Sequence, residues 1–141
     1  MDRIMPSLNF QKQFVQAVEN GLDELAGRPL RHPGVRPKRQ TIRAYWSNGH
    51  NPHRAGLTEY LYTGMRTKAC RKLGEAQCDS AEPLGIHRFP DGYAVTVSGH
   101  ELGPEEGAAM SLADGFSDFF DMMDFFEKTH GLPFEGVLIR W

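Results

Sequence analysis

Short stretches of alternating polar and apolar residues recur along this chain of 141 residues, and turn residues separate them. With 15 Gly and 9 Pro, the sequence has the material for many turns. Alternation with a period of two is typical of strands with one buried face. We therefore predict strands over residues 4–10, 40–44, 57–63, 93–97 and 134–141. Residues 73–81 and 84–89 are predicted to be paired strands, or one strand bent around Pro83.

Helical spacing of apolar residues replaces this alternation in two places. Residues 12–25 are predicted to form one amphipathic helix, interrupted near Gly21. A second helical region begins at Pro104, where Glu105 and Glu106 suit a first turn. It breaks and restarts at residues 114–117, with Asp114 or Ser117 as the N-cap. The helical stripe that follows is predicted to lie in the core, and it comprises Phe116, Phe119, Phe120, Met123 and Phe126.

These elements predict a single α+β domain over residues 1–141, of a length that allows one real core. Many short strands, an N-terminal helix and a helical insertion before the last strand indicate a small mixed β-barrel of about five to six strands. No apolar run reaches the ~18 residues of a membrane span, and residues 1–6 show no signal-peptide core. We expect a cytoplasmic protein without a membrane partner.

Neither the cysteines nor the histidines form a recognisable metal site. Two cysteines, Cys70 and Cys78, are too few for a disulfide framework or a complete zinc site, and we expect reduced thiols. The pair His50-x-x-His53 has no Cys or carboxylate close to it in sequence. We therefore predict exposed loop histidines, no metal and no cofactor.

Charge is divided sharply along the chain. Residues 28–72 contain eleven Lys or Arg and one acidic residue, Glu59, whereas residues 73–141 contain three Lys or Arg and thirteen Asp or Glu. A segment this basic in a chain of net charge −2 is a candidate surface for phosphates. The alternative is that the two halves fold together and neutralise each other.

The basic segment includes a short run, residues 35–43, that turns into a predicted strand. Pro37 favours an extended or turn conformation just before Lys38. On a strand, Thr41 and Arg43 point to one face, while Gln40 and Ile42 point to the other. An amine, a hydroxyl and a guanidinium thus converge, a set that can bind a phosphate or carboxylate or activate a hydroxyl. A solvated basic edge strand with Ile42 buried is the simpler interpretation.

With this Lys38-x-x-Thr41-x-Arg43 strand, the chain resembles the ASCH family, a member of the PUA-like group of small β-barrels. Three further features carry the resemblance: the Leu61-Tyr62-Thr63-Gly64 strand end, the Asp114-Gly115-Phe116 helix start and the terminal strand. The segment at residues 62–68 is similar to that of small phage- and prophage-type members. The resemblance implies a partly open barrel, with a cleft lined by the Lys-x-x-Thr-x-Arg strand, and an association with RNA and nucleoside chemistry.

Some members of that family hydrolyse the amide of N4-acetylcytidine with a lysine, a threonine and a glutamate, and others are described as ribonucleases. The lysine and threonine correspond to Lys38 and Thr41. For the glutamate, Asp114 stands at the matching helix start, one methylene shorter, and Glu105 or Glu106 lies a turn or two earlier. In this hypothesis Lys38 accepts a proton from Thr41, which attacks the amide carbonyl.

Three functions follow as hypotheses. The first is RNA or nucleotide binding without chemistry, in which cations contact phosphates and aromatic rings stack a base. The second is hydrolysis of a modified nucleoside or an RNA by Lys38, Thr41 and an acidic residue. The third is a protein-interaction domain whose acidic C-terminal half is the contact surface. The predicted nucleic-acid-binding residues are Lys38, Arg39, Arg43, Arg66 and Lys68 as cations, and Tyr45, Trp46 or Tyr93 as stacking rings.

Overall fold

The computed structural model describes residues 6–46 and 48–141, and these form an α+β fold with eight strands and three α-helices. The predicted fold class is therefore confirmed. A short 3₁₀ turn, Lys12–Phe14, leads into the first α-helix. In chain order the elements are β1 Ser7–Phe10, α1 Val15–Leu25, β2 Gln40–Ala44, β3 Thr58–Thr63, β4 Arg71–Gln77, β5 Ser80–Phe89, β6 Gly92–Val97, β7 His100–Glu101, α2 Pro104–Ala113, α3 Phe119–His130 and β8 Phe134–Arg140.

The described strands form two open sheets. Strands β1, β3 and β4 make a three-stranded sheet, in which β1 runs parallel to β3. The other five strands make an antiparallel sheet in the order β2-β8-β5-β6-β7. Because the last strand lies between β2 and β5, it joins the basic strand to the rest of the sheet. Each of these sheets has two edge strands, so the eight described strands form open sheets and not a closed barrel, and the small barrel of five to six strands stays a prediction.

One continuous core lies between the sheets and the helices. It includes Phe10 from β1, Leu61 from β3 and Leu138 from β8, each at most 1 % exposed. Helix α1 packs closely on β4, where the side chain of Leu22 would lie 2.8 Å from a Cβ placed on Gly74. A residue without a side chain at position 74 therefore allows the helix to approach the sheet.

Several strand predictions are confirmed, with small changes of boundary. Strands β2, β3, β6 and β8 lie where alternation predicts them, and β1 occupies residues 7–10 of its predicted range, of which residues 4–5 lie outside the described part. Residues 73–89 contain two strands, as predicted, but the predicted arrangement of the two is wrong. Strands β4 and β5 are neither paired nor one bent strand, because the chain passes at Cys78 and Asp79 from one sheet to the other.

The helix predictions need three corrections. Helix α1 runs through Gly21 without interruption. The N-cap of α3 is Asp118, whose carboxylate accepts a hydrogen bond from the backbone N–H of Asp121 at 2.8 Å, rather than Asp114 or Ser117. In the apolar stripe Phe120 is 72 % exposed, whereas Met122 is fully buried. No helix of the described chain has the length and apolar character needed to span a membrane.

Candidate functional site

The loop before β2 is held against helix α1, and this contact carries Lys38 into the interior. The backbone N–H of Lys38 donates to the carbonyl of Ala17 at 2.8 Å. One turn further along the helix, a Cβ on Gly21 would lie only 2.1 Å from the carbonyl oxygen of Lys38. The glycine that was expected to break the helix therefore makes room for the loop. Lys38 is 2 % exposed, although it belongs to the most basic part of the sequence.

Lys38 and Asp114 form a buried ion pair across 76 residues of sequence. The ammonium nitrogen lies 3.2 Å from Oδ1 of Asp114, and it also donates to the backbone carbonyl of the same residue. Burial lowers the pKa of Lys38 and raises that of Asp114, since both charged forms lose hydration, while their mutual attraction opposes both shifts. A paired amine and carboxylate with perturbed pKa values in a cavity is a candidate functional centre.

The position of Asp114 depends on the end of helix α2. Asp114 is the C-cap residue of that helix, and Gly115 follows with a φ of 97°. A Cβ on Gly115 would lie 2.9 Å from the ring of Phe14 and 3.4 Å from Cδ of Lys38. Both the left-handed backbone and the close approach therefore favour glycine at this position. Gln40 adds a further contact, with its amide nitrogen 3.4 Å from Oδ1 of Asp114.

Thr41 and Arg43 lie on the same face of β2, as the period of the strand predicts. Nε of Arg43 donates to Oγ1 of Thr41 at 3.1 Å, and Nη1 donates to the backbone carbonyl of Asn9 at 2.7 Å. The guanidinium carbon lies 4.8 Å from the ring centroid of Phe10. Burial lowers the pKa of Arg43 to about 10, against the opposing effect of Asp114 and Glu59, so Arg43 is a cation at neutral pH.

These residues line one cavity of about 280 Å³, which opens between β1, β2 and the end of α3. Lys38, Thr41, Arg43 and Asp114 all contribute to its wall. Five phenylalanines supply apolar surface, and polar groups from the end of β1 and from α3 complete the lining. The phenylalanines are Phe10, Phe14, Phe116, Phe125 and Phe126, and the additional polar residues are Asn9, Gln11, Thr129 and His130.

His130 is one of four polar wall residues that sequence reasoning missed, together with Asn9, Gln11 and Thr129. The His130 ring stacks on Phe126 at 5.7 Å between centroids and lies 5.0 Å from the ring of Phe134. Partial burial and the charge of Arg43 lower its pKa and so favour the neutral imidazole. The ring of His130 has no hydrogen-bond partner among the described residues, so its nitrogens are available to a ligand. Its place next to the Gly131 that ends α3 was a signal only for helix termination.

The prediction left open which carboxylate accompanies Lys38, and the structure places Asp114 there. Glu105 and Glu106 are exposed at the start of α2, and Glu106 accepts a hydrogen bond from the backbone N–H of Gly103. The described side-chain hydrogen bonds of Lys38 go to Asp114, whereas Thr41 is contacted by Arg43. Proton transfer between Lys38 and Thr41 stays a prediction.

Four of the other predicted binding residues are exposed, but they do not line the cavity. Tyr45 and Trp46 follow β2, and the Trp46 ring lies 5.2 Å from that of His50. Arg66 and Lys68 stand in the turn after β3, which is tied to the cavity rim because the N–H of Met65 donates to Oδ1 of Asn9 at 2.9 Å.

Arg39 and Tyr93 also lie outside the cavity wall, and both have partners within the fold. Arg39 donates to the backbone carbonyl of Trp141 at 3.1 Å and to Glu24 at 3.3 Å. The hydroxyl of Tyr93 donates to Glu127 at 3.4 Å. Arg39 therefore acts mainly as a contact to the chain end rather than as a cation of the cavity.

Much of the basic segment is neutralised, but mainly by helix α1 rather than by the acidic C-terminal half. Arg28 and Arg31 pair with Asp23, and Arg31 and Arg71 pair with Glu19. The hydrogen bond from Arg31 holds the pKa of Asp23 well below its usual range. Burial raises the pKa of Glu19, but hydrogen bonds from His32 and Arg71 outweigh this and lower it. Among the described ion pairs, Lys38 with Asp114 and Lys72 with Glu75 are those that join the basic segment to the C-terminal half.

The expectation of exposed loop histidines is wrong for His53. This residue is 7 % exposed, and its Nδ1 lies 2.8 Å and 3.0 Å from the two carboxylate oxygens of the fully buried Glu59. The single acid of the basic segment thus anchors a loop histidine. Within the described residues, no group of three or more His, Cys, Asp or Glu is placed to hold a metal ion.

Comparisons with known proteins give no family for the chain. No protein-family model matches the sequence, and no match was found among curated proteins or solved structures.

Proposed function

We propose that the cavity beside β2 binds one nucleobase of an RNA, or a free nucleotide. The observation that carries this proposal is the convergence of Lys38, Thr41, Arg43 and Asp114 on a single cavity walled by aromatic rings. Perturbed pKa values for Lys38 and Asp114 in the same place are typical of functional sites.

The size of the cavity supports a small planar ligand. Its volume of about 280 Å³ is near the lower end of the roughly 300–1,000 Å³ of small-molecule sites. A single unpaired base is therefore the proposed occupant. Stacking on aromatic side chains is a common way for proteins to hold an unpaired base, with about 1–3 kcal/mol per base. Phe14, Phe116 and Phe125 provide such surfaces.

The polar groups of the wall supply both donors and acceptors. Asn9, Gln11, Thr129 and His130 can read the edge of a base, since amides, hydroxyls and a neutral imidazole each donate or accept. Arg43 supplies a fixed cation for a phosphate or a carbonyl oxygen. Lys38 is already engaged by Asp114, so its proposed part in binding is to hold the wall rather than to contact the ligand.

Membership of the ASCH family is part of the same proposal. The basic strand, the strand end at residues 61–64, the Asp114-Gly115-Phe116 segment and the terminal strand occur in the expected order. Asp114 ends α2, however, and does not start a helix as the resemblance implied. We interpret the two open sheets as a widely opened relative of the PUA-like barrel. Arg66 and Lys68 are proposed to contact flanking phosphates, and Tyr45 or Trp46 to stack on a neighbouring base.

The test is a titration of short single-stranded RNA by isothermal calorimetry at two salt concentrations. We expect binding that weakens with salt and that falls at least tenfold in Arg43→Gln. Arg88→Gln is the control, because Arg88 is also an arginine on a strand but pairs with Glu127 outside the cavity. Absence of binding at low ionic strength, or equal loss in both variants, would overturn the proposal and leave the protein-interaction alternative.

A second candidate, amide hydrolysis of a modified nucleoside, is favoured by the shared cavity of Lys38, Thr41 and Asp114. In this reaction the Thr41 oxygen attacks the amide carbonyl, its proton passes through the Lys38–Asp114 pair to the leaving amine, and the C–N bond breaks. Water then hydrolyses the acyl ester and restores Thr41. Arg43, whose Nε lies 3.1 Å from Oγ1 of Thr41, would stabilise the oxyanion in this reaction.

Chromatography of N4-acetylcytidine incubated with the protein tests this candidate. We expect cytidine and acetate from the wild type, retention of some activity in Thr41→Ser, and none in Thr41→Ala. Equal conversion by wild type and Thr41→Ala, or none by either, would contradict hydrolysis by this site for this substrate.

A further inference from the structure

A second, larger depression adjoins the cavity. This groove has a volume of about 960 Å³ and lies between the start of α1 and the chain that follows β3. It shares Asn9, Phe10 and Gln11 with the wall of the cavity, so the two spaces meet along β1. A ligand that fills the cavity can therefore continue into the groove without leaving the surface.

The α1 side of the groove is lined by polar side chains that are free to bind. Gln11, Gln13 and Gln16 are exposed, and their amides have no hydrogen-bond partner among the described residues. Lys12 is exposed between the first two of them. Three amides that donate and accept, with an ammonium group among them, suit a ligand with many acceptor oxygens.

The charge of the groove is also positive on its opposite side. Arg71 lines it, and Arg66 and Lys68 stand in the adjoining turn. Glu19 is the one carboxylate among the described lining residues, and it is already bound by Arg31, His32 and Arg71. The field in the groove therefore favours an anion.

The turn between β3 and β4 is fixed in place. Oγ1 of Thr67 donates to the carbonyl of Gly64 at 2.6 Å and accepts from the N–H of Ala69 at 3.1 Å. Oγ1 of Thr63 donates to the carbonyl of Phe10 at 2.8 Å, which joins the turn to the floor of the groove. The backbone that presents Arg66 and Lys68 is therefore already ordered, so the conformational freedom lost when a ligand binds is that of the two side chains.

We propose that the groove is a subsite for the sugar-phosphate backbone next to the base in the cavity, and that the preferred ligand is single-stranded RNA rather than a free nucleoside. This inference rests on the proposed function. Phosphates would lie near Lys12, Arg71 and the turn, and the glutamine amides would contact ribose and phosphate oxygens. A single strand is specified because the base in the cavity must be unpaired.

The test compares the binding affinities of a free nucleoside and a trinucleotide for three proteins, namely the wild type, a groove variant and a control variant. The groove variant Lys12→Gln/Gln16→Glu lowers the charge of the groove by two without breaking a described contact. The control variant Arg54→Gln/Gln77→Glu makes the same change of charge at exposed positions that line neither the groove nor the cavity. Thermal unfolding of all three proteins shows whether each variant is folded.

We expect the groove variant to bind the trinucleotide about tenfold more weakly than the wild type at low salt. Its slope of log K against log salt should be shallower by about 0.7 for each phosphate that the variant no longer neutralises. Its affinity for the nucleoside, which does not reach the groove, should change less than twofold, and the control variant should match the wild type for both ligands.

Unchanged trinucleotide affinity in the groove variant, with nucleoside binding retained, would overturn the subsite and leave the proposed function standing. Equal weakening in the control variant would also overturn it, since net charge alone would then explain the effect. If a glutamate-rich peptide of the same charge competes as well as the trinucleotide, the groove is a protein site instead. If the wild type binds neither nucleoside nor trinucleotide, the proposed function itself fails.

Discussion

The ammonium nitrogen of Lys38 lies 3.2 Å from Oδ1 of Asp114, and neither side chain is more than 5 % exposed. This pair connects the loop before β2 to the end of α2, and so fixes one wall of the cavity. Two charges removed from water are costly unless they are paired, and loss of one partner leaves the other without compensation. The pair is therefore both a structural constraint and a candidate functional centre.

A double-mutant cycle tests the structural part of this statement. We expect Lys38→Met and Asp114→Asn each to lower the free energy of unfolding by about 3–5 kcal/mol, because each leaves a buried group without its partner. The double variant should lose clearly less free energy of unfolding than the sum of the two single losses. Urea denaturation of the wild type and the three variants measures these free energies.

The control cycle uses Lys72→Met and Glu75→Gln, since Lys72 and Glu75 form an ion pair whose side chains are almost half exposed. Exposed pairs contribute about 0.2–1 kcal/mol, so we expect little coupling there. Coupling at Lys38 and Asp114 no larger than in this control would contradict the buried pair.

Two helical glycines should respond in opposite directions to the same change. In Gly21→Ala the new Cβ would meet the carbonyl of Lys38 at 2.1 Å, so the loop or the helix must shift. We expect destabilisation of about 1–3 kcal/mol, as for overpacked interiors. Gly107→Ala, in α2, meets only the Phe119 ring at 3.7 Å and should be neutral or stabilising by about 0.5–1 kcal/mol through helix propensity. Similar unfolding midpoints for the two variants would be inconsistent with the packing of the loop on α1.

The two thiols should differ in reactivity. Burial raises the pKa of Cys78 to about 11, whereas Cys70 is exposed. The thiolate is the reactive form, so we expect a disulfide reagent at pH 8 to modify one thiol rapidly and the second only on unfolding. Cys70→Ser should remove the rapid phase. A rapid phase that persists in Cys70→Ser would show that Cys78 is accessible.

The thiol of Cys78 also affects the pH dependence of folding, because its pKa is about 11 in the fold and near 9 in the unfolded chain. The free energy of unfolding should therefore decline above about pH 9.

Asp23 should make folding sensitive to acid. Its pKa in the fold is depressed by the hydrogen bond from Arg31, so its contribution is complete above about pH 4 and declines as the pH falls below that value. We expect Asp23→Asn to be less stable at pH 7 and to show a flatter decline of stability as the pH falls below about 4. Glu24→Gln is the control, because Glu24 is half exposed in its pair with Arg39. Parallel pH profiles for wild type and Asp23→Asn would contradict the assigned role.

The period of β2 was enough to place Thr41 and Arg43 on one face, because alternation is a local property of a strand. Whether the other charged side chains of the basic segment are buried or exposed depends, in contrast, on contacts between segments that are distant in sequence. Lys38 is buried because Gly21 allows a loop to reach α1, and no local pattern records that approach. For the same reason the acids of α1, rather than the C-terminal half, neutralise the arginines around it.

The helical regions show the same limit. Pro104 with two glutamates marked the start of α2 correctly, since capping is local. The apolar stripe counted from Phe116 predicted a buried Phe120. Helix α3 begins only at Phe119, so Phe116 does not belong to its periodic pattern, and Met122 faces the core instead of Phe120. His130 lines the cavity because its ring packs on Phe126 and Phe134. The contact with Phe134 joins α3 to β8, and the local sequence pattern does not predict it.

The location of the ligand is tested most directly by an NMR titration of the ¹⁵N-labelled protein with cytidine monophosphate. The account predicts amide and side-chain shifts concentrated at Asn9, Arg43, Thr129 and His130, with little change at exposed turns such as Gly99. Shifts that are absent at saturating ligand, or that cluster away from the cavity while these four residues stay unchanged, would contradict it.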